Sequence, residues 1–182
     1  MLGILGAFGL AAATGLNAYL PLLIVGLLAR YTDLIALKAP WSALTHPVVL
    51  VVIGALLLIE ITVDKIPAVD TVNDVIQTVF RPAAGAILFA ASGSVISHVS
   101  PVLAMVCGLL IAGGVHAAKA VARPAVTAGT AGLANPAVSL AEDAVSGVTT
   151  VLAIIAPVVI ALVFALAVWL FVRWRARRRN RN

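Results

Sequence analysis

The sequence predicts an all-α fold: a polytopic transmembrane helix bundle of about five spans, with amphipathic interfacial or re-entrant helices. Three observations predict it. Of 182 residues, 63% are hydrophobic and only 10% are charged, against roughly 45–50% and about 25% in soluble domains. The apolar residues gather in runs long enough to cross hydrocarbon, which takes about 20 residues at ~1.5 Å each. Charge is also uneven, because Arg173, Arg175, Arg177, Arg178, Arg179 and Arg181 fall in the last ten residues. The net +5 therefore belongs to the tail; residues 1–172 carry six basic and seven acidic groups. That balance excludes a nucleic-acid-binding face on the body. The hydropathy excludes a soluble enzyme of the usual kind.

A single transmembrane domain is expected over residues 1–172, with spans at about 2–29, 47–64, 83–97, 101–119 and 150–172. The first run carries no charge but is interrupted at Thr14, Gly15, Leu16 and Asn17, and again at Pro21, which suits a kinked or partly re-entrant helix. No Lys or Arg precedes Arg30, so this segment reads as retained rather than as a secretory signal. The second run ends in Glu60 and Asp64. Pro82 to Val115 is 34 residues without Asp, Glu, Lys or Arg, too long for one helix, and the Ser- and Gly-rich stretch 92–101 divides it. Pro157 is expected to kink the last span. Lys/Arg bias places the Arg-rich tail, residues 173–182, in the cytoplasm of a multi-pass protein of the bacterial inner membrane, with Trp169 and Trp174 at the interface. Counting back through five spans puts Arg30 and Lys38 inside and the N-terminus outside. Cys107 is the sole cysteine, so no intramolecular disulfide and no cysteine-based metal site is possible, and it reads as a small buried hydrophobe.

Polar residues recur on helical faces. Glu60 and Asp64 are four apart at the end of a span, with Lys65 next to them; carboxylates at such depth usually face a cavity, a pathway or a counter-charge. Asp70, Asp74, Gln77 and Arg81 share one face, and Val72, Val75, Ile76, Val79 and Phe80 share the opposite one. Such a helix belongs at the bilayer surface or folded back into the bundle. His116, Lys119 and Arg123 form a cationic face, suited to a phosphate or carboxylate, or to neutralising the acids of segment 60–74. Lys and Arg offer no lone pair, so this face is no metal site by itself.

Asn135 and Pro136 read as a helix start, in competition with a capping box at Ser139 and Glu142. The first alternative puts Glu142 and Asp143 in the second turn, within reach of Lys119 or Arg123. Segment 124–134 reads as a flexible connection or a close-packing strip. Arg81-Pro82-Ala83 and Arg123-Pro124-Ala125 echo each other, as internal repeats do, but three matching residues in an Ala-rich chain do not establish duplication. No catalytic triad, phosphate-binding loop or zinc cluster occurs. Glu60, Asp64, Asp70 and Asp74 have oxygens that suit Mg²⁺, but nearby cations already supply counter-charge, so no metal and no cofactor are expected.

With these pieces in view, the chain resembles a bacterial membrane family known only as a domain of unknown function, numbered 4126. The resemblance is carried by Gly15-Leu16-Asn17-Ala18-Tyr19-Leu20-Pro21, Leu27-Leu28-Ala29-Arg30, Asp64-Lys65-Ile66-Pro67-Ala68-Val69-Asp70 and Arg81-Pro82-Ala83-Ala84-Gly85. His116-Ala117-Ala118-Lys119-Ala120 and Ser139-Leu140-Ala141-Glu142-Asp143 complete it. It implies no chemistry, but it singles out Asp64, Lys65, Asp70, Arg81, His116, Lys119, Glu142 and Asp143.

Three functions fit these residues. The first is a small transporter or channel with a charged site formed by helix ends. The second is a non-catalytic accessory or scaffold subunit of a membrane complex. The third is an intramembrane enzyme acting on phosphate-bearing lipid. The first is the leading expectation, with no enzymatic activity. Its expected partners are the bilayer, anionic lipid at the tail, and a second copy or another membrane subunit.

Overall fold

In a computed structural model, every regular element among the described residues is helical. The structure describes residues 3–63, 67–92 and 100–179, without the side chains of 67–72, 160, 161, 164, 171, 172 and 174–179. The helices are α1 (Ile4–Leu16), α2 (Tyr19–Tyr31), α3 (Pro47–Val63), α4 (Pro67–Ala91), α5 (Pro101–Thr130), α6 (Asn135–Ile155) and α7 (Pro157–Arg179). A short 3₁₀ turn, Trp41–Thr45, precedes α3. Asn73–Ala91, Pro101–Thr130 and Asn135–Ile155 are long and apolar enough to cross a membrane; α1, α2 and α3 are apolar but shorter.

The run at residues 2–29, expected as one span, is two helices that double back. Asn17 leaves the helix for an extended conformation (φ −139°, ψ 124°). Its Oδ1 accepts the N–H groups of Tyr19 (3.1 Å) and Leu20 (2.8 Å), donors that a new helix start would otherwise leave unmet. α1 runs antiparallel to α4, with Phe8 edge-on to Phe89, Thr14 over Gly85, and Tyr19 beside Phe80 just past its end. α2 then turns away, and Gly26 lies against Leu44 and Leu50. The following connection returns Trp41 to the cluster of Ala7, Ala11, Phe89, Ala90 and Ala104 near the start of α1. At 13 residues each, α1 and α2 reach about 20 Å, short of the ~30 Å hydrocarbon layer. They form a hairpin whose tip, Asn17, is wholly buried.

The amphipathic stretch 70–81 and the start of the span expected at 83–97 are one helix, α4, with Pro82 inside it. Residues 93–97 lie outside the described residues. Pro82 has no N–H to give the preceding turn, and helices with polar neighbours tolerate this loss. The expected span 101–119 continues to Thr130, so residues 124–130 are helix rather than a flexible connection. Ala131 and Gly132 then take left-handed conformations (φ 50° and 81°), and the Gly132 N–H returns to the Thr127 carbonyl (2.9 Å). This is a Schellman-type stop, and glycine is suited to its positive φ.

α6 starts at Asn135, but the Asn135 side chain does not cap it. Ser139 and Glu142 are inside the helix, so the capping-box alternative falls. The expected span 150–172 is broken at Ala156 (φ −141°, ψ 62°), because Pro157 disfavours helix in the residue before it. Its first part closes α6, and the rest belongs to α7, which carries the arginine-rich stretch as helix through Arg179.

α4 and α5 pack most extensively, antiparallel and at very close range. A Cβ on Gly108 would meet the Gly85 carbonyl oxygen and stand 2.6 Å from Phe89 Cβ; a Cβ on Gly85 would stand 2.7 Å from the Gly108 carbonyl oxygen. Small residues allow this approach and the dispersion contact that goes with it. Gly108→Val should lower stability by about 1–3 kcal/mol through overpacking, read as an earlier thermal transition in detergent. Gly114→Ala, whose Cβ would meet nothing within 4 Å, should leave the transition unchanged or slightly later.

Candidate functional site

Four helices bring ionisable side chains to one interior region. The polar face of α4 (Asp74, Gln77, Arg81) turns inward, while Val75, Ile76, Val79 and Phe80 on its other face stay 47–70% exposed. On α5 the face of His116, Lys119 and Arg123 is likewise buried, at 4–5% exposure. α3 ends with Glu60 pointing inward, and α6 contributes Glu142 and Asp143 from its third turn. The amphipathic pattern is thus inverted relative to a soluble helix.

The charges form an alternating string across α3, α4, α5 and α6. Arg81 Nη2 donates to Glu60 Oε1 at 3.1 Å, and both side chains are fully buried. Arg81 Nη1 stands 3.5 Å from Asp74 Oδ1, and Lys119 Nζ approaches the same oxygen at 3.8 Å. Lys119 Nζ then meets Glu142 Oε2 at 2.9 Å, and Arg123 Nη1 donates to that oxygen at 3.2 Å. Among the described residues three acids alternate with three bases, and Asp74 and Glu142 are each shared by two cations. The buried geometry strengthens each attraction and offsets the cost of removing the ions from water.

His116 ties into this string. Arg81 Nη1 lies 3.0 Å from its Nδ1, and guanidinium is only a donor, so Nδ1 accepts. Thr78 Oγ1 donates to the Asp74 carbonyl (2.9 Å) and lies 3.1 Å from His116 Nε2. The hydroxyl proton is therefore committed, and Nε2 carries the hydrogen that Thr78 accepts. The bonds define a neutral, Nε2-protonated histidine.

Asp143 lies apart from the string. Its Oδ1 accepts from Asn17 Nδ2 at 2.9 Å, so one side chain starts α2 and also ties the hairpin tip to α6. One turn farther along α6, Ser146 Oγ donates to the Ala13 carbonyl at 3.0 Å. A cleft of about 570 Å³ opens beside the string, reaching Asp74, Thr78, His116, Arg123, Thr127 and Asn135. Thr127 donates to Asn135 Oδ1 (3.1 Å) at its wall.

Glu60, Asp74, Arg81, His116, Lys119, Arg123 and Glu142 thus come together, and Asp143 joins the hairpin tip. Asp64 and Lys65 lie outside the described residues, and Asp70 is on α4 without a described side chain. Arg173 stands over the Trp169 ring at 4.9 Å, away from the string. Arg175, Arg177, Arg178 and Arg179 are on α7 without described side chains, and Arg181 lies outside the described residues. Among the described residues no group of three His, Cys, Asp or Glu side chains is placed to hold a metal. Glu60 and Asp74, considered for Mg²⁺, both face Arg81 instead.

Sequence reasoning left Asn17, Thr78 and Asn135 out of the site. Thr78 carried a signal, since it sits one turn from Asp74 on α4. An amide in an uncharged run, as at Asn17, is the other signal a sequence reader could use.

The family described as a domain of unknown function, DUF4126, matches residues 4–177. The chain belongs to that family. No curated protein and no solved structure matches it. In this DUF4126 chain the string Glu60–Arg81–Asp74–Lys119–Glu142–Arg123 and the Asn17–Asp143 tie lie within the matched stretch.

Two substitutions test these contacts. Glu60→Gln leaves the Arg81 charge without this carboxylate and should cost about 3–5 kcal/mol, while Glu60→Leu with Arg81→Met should cost clearly less than the two single changes summed. Denaturant unfolding in detergent reads both. Asn17→Ala should cost about 1–2 kcal/mol through the lost cap. Asn17→Asp keeps an acceptor for Tyr19 and Leu20 but sets a second carboxylate against Asp143, so it should not rescue the loss at neutral pH.

Proposed function

We propose that this protein is a small transporter or channel-like protein of the bacterial inner membrane. Its polar path follows the alternating ion string and the adjoining cleft. The observation that carries the reading is the inverted distribution of side chains. Arg81 is 0% and Glu60 1% exposed, while Val51 and Val79 on the same helices are 69–71% exposed. Such surfaces suit lipid and not water, and ionisable groups inside a membrane bundle commonly mark a path for a solute or proton. A purely structural role is less economical, because buried ion pairs can often be replaced by apolar packing without loss of stability. Shared carboxylates add to the argument: Asp74 and Glu142 can release one cation to a passing group while keeping another. The re-entrant hairpin supports the same reading, since irregular backbone at depth is tolerated where protein or a cavity surrounds it.

An accessory-subunit role is favoured by one specific feature. α7 exposes apolar side chains on all sides, Val158, Leu162, Val163, Leu166, Val168 and Leu170 among them, and leads into the arginines. In either role those arginines hold anionic lipid or an acidic partner, at roughly 1 kcal/mol per charge near the surface.

Liposomes holding the purified protein should pass protons or a small ion, and Lys119→Gln should abolish the flux while the protein stays monodisperse. Wild-type liposomes tight to every ion tried would overturn the transport reading. Recovery of a stoichiometric partner from native membranes, lost on truncation after Trp174, would support the accessory role instead.

A further inference from the structure

We propose that His116 is the proton-binding site of this protein, and that taking up a proton there breaks the string at Arg81. The inference deepens the transport reading and rests on it only for its consequence, that the coupling ion is a proton. Three facts carry it. First, His116 Nδ1 accepts from Arg81 Nη1 (3.0 Å), and its Nε2–H is held by Thr78. The one basic lone pair of the ring is therefore occupied by a guanidinium N–H. Second, Arg81 is fully buried and has acceptors other than His116, in Glu60 at 3.1 Å and Asp74 at 3.5 Å. Third, His116 is 4% exposed yet lines the cleft, so a proton has a route to the ring.

The proton balance is simple. A proton from the cleft adds to Nδ1, which becomes a donor, and the Arg81 N–H that it accepted loses its partner. Two cations then face each other. The relief open to Arg81 is toward the Asp74 and Glu60 carboxylates, where its charge is wanted. Asp74 Oδ1 is also the oxygen that Lys119 approaches at 3.8 Å, so a tighter Arg81–Asp74 bond frees Lys119 toward Glu142. One protonation is thereby passed along α4, α5 and α6 without net movement of a helix.

Among the described residues, the charged groups around the ring come from four helices. α4 brings Asp74 and Arg81; α5 itself brings Lys119 one turn on and Arg123 two turns on. α3 brings Glu60 through Arg81, and α6 brings Glu142 through Lys119 and Arg123. α1 has no ionisable side chain. A proton taken up there adds a positive charge beside Arg81 and Lys119.

The test reads the ring directly. Protein carrying ¹⁵N-histidine, in lipid nanodiscs, is titrated by NMR from about pH 8 to about pH 4, the range in which imidazole changes charge. His116 is told from the other two of the chain's three histidines by its loss in His116→Asn. At high pH one protonated nitrogen and one bare nitrogen are expected. On acidification the bare nitrogen should gain its proton, together with a shift of the Arg81 side-chain N–H signals. A ring that stays neutral throughout, or one that titrates while Arg81 signals stay still, overturns the inference.

In His116→Asn the side-chain oxygen falls near the Nδ1 position and accepts from Arg81 but takes no proton, so proton-driven flux in liposomes should be lost. Flux retained in that variant also overturns the inference and leaves the transport reading standing. An NMR switch in a protein whose liposomes pass nothing leaves the proton site standing and sinks the transport reading instead. If His116→Asn fails to fold, the wild-type titration decides alone, with assignment by single substitution of the other two histidines.

Discussion

A guanidinium with no exposed surface is the constraint around which this bundle is arranged. Arg81 cannot be neutralised, so its charge must be met by acceptors brought to it. α3 supplies Glu60, α4 itself supplies Asp74, and α5 supplies His116. Each supplier is in turn a member of a further contact, which is how one buried cation organises parts of four helices. Removing water from so many ions is costly, and only the density of partners makes it tolerable. The outer faces follow from the same fact. If the polar face of α4 turns inward, its valines and phenylalanine must turn outward.

Such a centre requires helices that approach closely and do not slide. Gly85 and Gly108 let the backbones of α4 and α5 touch just beyond Arg81 and His116, so these two side chains meet at a defined height. On the other side, α1 lies between α4, α5 and α6 as an uncharged wedge. Its end is held by Ser146 at the Ala13 carbonyl and by Asn17 at Asp143. The hairpin tip is thus fastened to α6 at Asp143, next to Glu142, and a movement of α6 is felt both by the ion string and by the start of α2.

This arrangement has a consequence for chemistry. Asp74 and Glu142 each face two cations, so the string contains alternatives as well as bonds. Alternatives of similar geometry let buried ions change partners at modest cost. The cleft opens beside this string, and His116 lies at its wall, bound to Arg81.

The sequence by itself determined the helical class, the places where charge is allowed, and which side chains share a helical face. Those properties follow from composition and from the 3.6-residue period, which do not depend on neighbours. Asp74, Gln77 and Arg81 were legible as one face, as were His116, Lys119 and Arg123. Whether a face turns toward water or toward the interior was not legible, because the same period describes a surface helix and a helix with its polar side buried. The run 2–29 could be a kinked span or a re-entrant hairpin for the same reason: Asn17 decides between them only through what its side chain reaches, Tyr19 and Leu20 on one hand and Asp143 on the other. Partner choice, too, belonged to the tertiary structure. Ion pairs between helices depend on the heights at which the helices stop and cross, and those heights come from glycine contacts, proline breaks and the Gly132 turn acting together.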